Sequence, residues 1–140
     1  MKDSEAHYRR LERAYHGAPC NLPLGPRLTV SEGAAEIRLE SSSSMHHALG
    51  AVHGAFYFKL LDDAAYFAAN SLVEDVLVLT ASFSLEFLRP VVGGTLQAGG
   101  RVRRFGNSLI FAESHLEDGD GNELAVGRGT FVRSKVPVPE

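Results

Sequence analysis

Residues 54–70 read GAFYFKLLDDAAYFAAN, and how this stretch is read decides the fold. Ala, Leu and Phe dominate it, it contains no proline, and apolar residues occupy almost every side. Such a segment is a helix buried on several faces, as when a sheet wraps round it. Straight afterwards the period changes to two. Leu77, Leu79, Ala81, Phe83, Leu85 and Phe87 share one face of a strand, with Val78, Thr80, Ser82, Ser84 and Glu86 on the other. Arg89-Pro90 ends it, and Gly93-Gly94 opens a further strand over residues 95–104. Gly106-Asn107 turns into a third over 108–117, and Asp118-Gly119-Asp120-Gly121-Asn122 precedes a last one over 123–134. The expectation for this half is a four-strand antiparallel meander.

Working outward, residues 5–16 carry Tyr8, Leu11 and Tyr15 at helical spacing among Arg and Glu. Residues 17–26 are rich in proline and glycine and form a connection. Two short strands follow at 27–31 and 34–40, then a polar loop at 41–44. Residues 135–140 read as a loose tail. The chain reads as one α+β domain over 1–140: a long central helix wrapped by a curved antiparallel sheet of about six strands, with a short N-terminal helix.

Composition narrows the function. The chain has 140 residues, enough for one core, and a formal net charge of −3, which disfavours nucleic acid as the main partner. The single cysteine can form neither an internal disulfide nor a thiolate cluster. The polar start, Met1-Lys2-Asp3-Ser4-Glu5, is followed by no apolar run. A cytoplasmic protein without membrane contact is expected.

The chemistry centres on the start of the long helix. The first N–H groups of a helix lack intrahelical acceptors and carry the positive end of its dipole. A glycine there, Gly54, lets a carbonyl oxygen approach closely and makes an oxyanion site. Asp62, eight residues later, is a carboxylate in a largely apolar helix, a costly placement unless it has work or a partner. Together they suggest carbonyl polarisation plus a carboxylate nucleophile or base. Eight helical residues rise about 12 Å, too far for one carbonyl group to touch both. If both serve one carbonyl, they come from two copies of the chain, with the long helices antiparallel in a dimer.

The run Gly50-Ala51-Val52-His53-Gly54-Ala55, backed by Leu61-Asp62-Asp63-Ala64-Ala65, resembles the hotdog-fold acyl-CoA thioesterases of the phenylacetate-pathway (PaaI-like) type. Leu79-Thr80, Phe87-Leu88-Arg89-Pro90, Gly93-Gly94, residues 103–108 and Asp120-Gly121-Asn122 fall where that family has similar residues. The resemblance implies a thioester hydrolase, dimeric and further paired into a tetramer, with no metal or redox cofactor and with CoA arriving as part of the substrate. It implies Asp62 as the catalytic carboxylate and Gly54 as the N–H donor to the thioester. His53 would shape the site, Thr80 would orient water or carboxylate, and His47 would stand in the family's asparagine position. Ser82, Ser84, Phe87, Arg104, Asn107 and Ser108 correspond to segments that hold CoA.

Two departures from the family are visible. His47 brings a pH-dependent group where an asparagine is usual, and Ala55 replaces a second glycine, which narrows the pocket. Strict alternation also sets Thr80 opposite Leu79 and Ala81, so a role for it requires a twist or bulge. Asp63 points about 100° away from Asp62 and reads as a structural charge. His46, His47 and His53 lack metal-ligand spacing, and residues 118–122 lack the glycine and acid of a calcium loop. A hydratase or dehydratase on the same fold, and a non-catalytic acyl-CoA binding module, are the alternative readings.

Overall fold

The computed structural model describes residues 3–140. In chain order it has α1 (Ser4–Gly17), β1 (Arg27–Ser31), β2 (Ala34–Glu40), a 3-10 turn (Ser43–Met45), α2 (Gly54–Ser71), β3 (Val76–Phe87), β4 (Thr95–Phe105), β5 (Ile110–Asp118) and β6 (Glu123–Pro137). The strands form one antiparallel sheet in the order β1-β2-β4-β5-β6-β3, and α2 packs across one face of it. The long apolar helix led to the expectation of a sheet-wrapped helix, and the arrangement is the hotdog fold that the family resemblance implied. Among the described residues no helix is long and apolar enough to cross a membrane.

The expected meander is corrected. Strands β4, β5 and β6 do follow one another, but β3 pairs with β6 at the far edge and β2 pairs with β4. Alternation specifies which face a residue takes and says nothing of the neighbouring strand. The chain therefore crosses back from β3 to β4 along residues 88–94. This strap is fastened near the start of α2: Tyr57 Oη donates to the Arg89 carbonyl at 2.8 Å and Val52 N–H donates to Val91 at 2.9 Å.

The face assignment within β3 is also corrected. Val78 is fully buried, whereas Leu79 is 54% exposed. Thr80 pairs with Phe131 and Ser82 with Thr130, so Ala81 is an extra residue, a β-bulge. The bulge reverses the alternation. Val78 and Thr80 face α2 before it, and Phe83 and Leu85 pack toward the core after it. The tail is corrected too: β6 runs on to Pro137, Ser134 Oγ donates to the Leu77 carbonyl, and Val138 is buried.

The two edges of the sheet differ. Side chains of α1 close the β1 edge: Glu12 accepts from Val30 N–H at 2.8 Å, His16 Nε2 accepts from Leu28 N–H at 2.9 Å, and Arg9 donates to the Val30 carbonyl at 3.1 Å. Polar caps of this kind block further strand addition. The opposite edge, along the 12 residues of β3, has no strand beyond it among the described residues.

The position of α2 is set by small residues. Ala64, Ala65, Ala68 and Ala69 are fully buried and bring its backbone down onto the sheet. A Cβ on Gly100 of β4 would lie 2.2 Å from the Ala64 carbonyl oxygen, so only glycine fits beneath the helix. At the C-terminal end buried Asn70 donates to the Val73 and Val76 carbonyls and accepts from Val78 N–H, tying helix to strand. Gly100→Ala is expected to lower unfolding free energy in urea by about 3 kcal/mol through overpacking against backbone. Gly119→Ala, whose nearest neighbour would be 3.8 Å away, is expected to change it little.

Candidate active site

The start of α2 is built by two histidines. His53 is the N-cap, with φ −65° and ψ 139°, and its Nδ1 accepts from Ala55 N–H at 2.8 Å. Phe56 N–H donates to the His53 carbonyl at 3.0 Å. Gly54 N–H is left without an acceptor among the described residues, at the positive end of the helix. The preceding loop folds back on itself through His47 N–H to Ala51 and Gly50 N–H to His47, with Gly50 at φ 85°, a conformation suited to glycine. His47 Nδ1 accepts from Leu49 N–H at 3.0 Å. Each neutral imidazole thus carries its proton on Nε2. The two rings stand edge-on, with centroids 6.2 Å apart.

His47, Gly54, Tyr57 and Phe87 share a cleft of about 350 Å³ with the strap residues Leu88–Pro90. A Cβ on Gly54 would meet the far edge of the exposed Phe87 ring at 2.8 Å, so a larger residue there requires that ring to turn aside.

The carboxylate lies elsewhere on the helix. Thr80 Oγ1 donates to Asp62 Oδ1 at 2.9 Å, a contact that exists because the Ala81 bulge leaves Thr80 facing α2. Burial pushes the Asp62 carboxyl above the usual carboxylate range. The Thr80 hydrogen bond pulls it back, the charge of Asp63 pushes it up, and Lys59 draws it down, leaving it raised. Beside it on the same helix face, Phe58 stands edge-on to Phe83, with centroids 5.5 Å apart. Phe83 in turn lies flat over Gly127 and Gly129, where any Cβ would come within 2.7 Å of its ring.

The structure thus gathers Asp62 with Thr80, and separately Gly54 with His47, His53 and Phe87. Ser82 and Ser84 turn to the outward face of the sheet, opposite Thr130 and Arg128. Arg104 is exposed in β4, and Asn107 and Ser108 are exposed in the turn after it, where Arg133 binds the Asn107 carbonyl. Asp118 accepts from Asp120 N–H, Asn122 N–H and Asn122 Nδ2, the bonding of a turn. Sequence reasoning missed the aromatic pair beside Asp62. Its signal was the glycines at alternate positions 127 and 129, which mark the bed of a ring.

The thioesterase superfamily model matches residues 49–125, more than half of the chain, and the chain belongs to that superfamily. It is a thioester hydrolase. It is 26% identical over 117 residues to the acyl-coenzyme A thioesterase PaaI of Escherichia coli, covering 82% of each. The solved structure of the E. coli PaaI protein superposes with a TM-score of 0.86 at 24% identity, over 96% of this chain and 97% of that one. A thioesterase family protein from Silicibacter pomeroyi gives a TM-score of 0.84 at 25% identity, over 91% and 97%.

A raised carboxyl has a consequence for stability. Asp62 binds its proton more tightly folded than unfolded, so it adds stability below the ordinary carboxylate range and withdraws it as pH rises through the folded value. Asp62→Asn is therefore expected to have a higher Tm than wild type at pH 7, with the gap closing as pH falls toward about 4. Thermal unfolding followed by circular dichroism across that range checks the sign. A less stable variant at pH 7 contradicts it.

Proposed function

We propose that the chain hydrolyses an acyl-CoA thioester to a carboxylic acid and CoA at a site shared by two copies of itself. The observation that carries this reading is the pairing of a half-buried, Thr80-bound Asp62 with an unpartnered Gly54 N–H eight residues earlier on the same rigid helix. The likeness to an E. coli acyl-CoA thioesterase supports the substrate class.

The second copy adds along β3. That edge is long and open while the β1 edge is closed by α1, and Phe58, Phe87 and Leu88 are exposed beside α2. A two-fold axis there sets the long helices antiparallel and brings Asp62 of the partner subunit to Gly54.

In the reaction the thioester carbonyl oxygen accepts from Gly54 N–H, with the helix dipole behind it, and from His47 Nε2–H. The ionised Asp62 of the partner subunit attacks the carbonyl carbon or takes a proton from the attacking water, positioned by Thr80. The tetrahedral intermediate collapses and the C–S bond breaks: in the water path the proton taken by Asp62 passes to the sulfur, and in the carboxylate path CoA leaves as a thiolate that is protonated from water. Where the carboxylate attacks, water then opens the resulting anhydride. Phe87 lies against the thioester arm, and Arg104, Asn107 and Ser108 meet the rest of CoA, whereas Ser82 and Ser84 lie on the sheet face turned away from α2 and take no part in it. The chemistry needs no resident metal or redox cofactor.

A thiol-release assay over aryl, short, medium and long acyl-CoAs tests this. At least one ester is expected to turn over, with Asp62→Asn lowering kcat about 10²–10⁴-fold while the fold and dimer persist. Thr80→Val is expected to lower kcat about tenfold and, by removing a bond to the ionised carboxylate, to move the acid limb of the pH–rate profile upward. Release from no ester, or full activity in Asp62→Asn, contradicts the proposal.

A further inference from the structure

Asp63 follows the catalytic candidate directly, and its surroundings are unlike those of Asp62. It turns away from Thr80 toward α1, where Tyr15 Oη donates to Asp63 Oδ2 at 2.8 Å. Lys59, one helical turn earlier, places Nζ 2.9 Å from the same oxygen and 5.4 Å over the Tyr15 ring. Tyr15 is buried and stands edge-on to Phe67, with centroids 5.1 Å apart. Lys59 and Asp63 side chains are only 21% and 19% exposed. An exposed i, i+4 ion pair wanders and is worth little. This one is held by a buried phenol on one side and the helix on the other, so its charges keep fixed places.

From this geometry we infer that Lys59, Asp63 and Tyr15 are positioning residues for the reaction, holding a matched positive and negative charge on the flank of the Asp62 carboxylate. The inference rests on the reading of Asp62 as the catalytic carboxylate. On α2 the groups facing Asp62 are Lys59, Asp63 and Tyr66, and β3 supplies the uncharged Thr80 hydroxyl. The Tyr66 phenol, pushed up to about 12 chiefly by burial, is neutral through the working range. Helix α1 reaches the site through Tyr15 alone, by way of Asp63. Burial of the Tyr15 phenol keeps it protonated, so it remains a donor. Asp63 disfavours ionisation of Asp62 and Lys59 favours it, and each offsets the other. The N-terminal helix thereby holds the charge balance of a site to which it contributes no reacting atom.

The two members of the pair must then act in opposite directions. The full chain is compared as wild type, Asp63→Asn, Lys59→Met and the double variant; Met preserves most of the lysine stem and Asn can still accept from Tyr15. Two readouts are taken: the acid limb of thiol release, and ¹³C NMR titration of the Asp62 side-chain carboxyl, which needs no turnover. Asp63→Asn is expected to move both midpoints down by about 0.5–1 pH unit, Lys59→Met to move them up by a similar amount, and the double variant to return near wild type. Midpoints that stay put while Tm and plateau rate fall would make the cluster a structural strut and overturn the inference, as would shifts in one common direction. A titration that moves as expected in a protein that releases no thiol overturns the catalytic reading of Asp62, and with it the role assigned to the cluster. A titration that stays put while esters are hydrolysed overturns the charge pairing alone.

Discussion

An α-helix rises about 1.5 Å per residue, and that pitch, imposed on the eight residues from Gly54 to Asp62, is the constraint on which the rest depends. The helix cannot bend to bring the two together because it is held along its length. His53 caps its start, Ser114 Oγ donates to the Leu61 carbonyl in its middle, Gly100 lies directly beneath Ala64, and Asn70 ties its end to Val78. A carbonyl donor site and a carboxylate are thus kept about 12 Å apart in each chain. On the proposed reading, each chain carries two half-sites.

The sheet is arranged to suit that division. One edge is sealed by side chains of α1 and the other is open along β3, the edge to which the proposed dimer assigns the second copy. The same open strand carries the Ala81 bulge. Without it, alternation would keep Thr80 away from α2 or turn Phe83 away from its bed on Gly127 and Gly129. One extra residue lets the strand supply both a hydrogen bond to Asp62 and an aromatic wall beside it.

Much of this was legible in the sequence, and what was not has a common cause. The long helix, expected over residues 54–70, runs Gly54–Ser71, and the six strands fall near their expected places because local periodicity encodes them. The placement of Asp62 and Gly54 on that helix followed from spacing alone. Strand order did not, because pairing of β3 with β6 joins segments whose patterns are equally compatible with other neighbours. The residue types in Leu79-Thr80-Ala81-Ser82 do not mark a bulge; only the role that the resemblance gives Thr80 called for a twist or bulge there. The closing residues looked loose since their hold comes from β3 and from Asp75, far back in the chain. The link from Tyr15 to Asp63 spans 48 positions and is a product of packing α1 beside α2.

The central claim, one site made by two chains, is tested most directly by mixing two inactive subunits. Gly54 is the first helical residue and His53 already has the extended backbone that precedes a proline, so Gly54→Pro removes the N–H donor and suits the helix start once the exposed Phe87 ring turns aside. Asp62→Asn removes the carboxylate. Each homodimer should be inactive, yet co-assembled subunits in equal amounts should recover about a quarter of wild-type thiol release, since half of randomly paired dimers carry one intact site of two. No recovery in a mixture shown by mass spectrometry to contain the heterodimer would mean that both groups act within one chain or do not act together, and the account would be wrong.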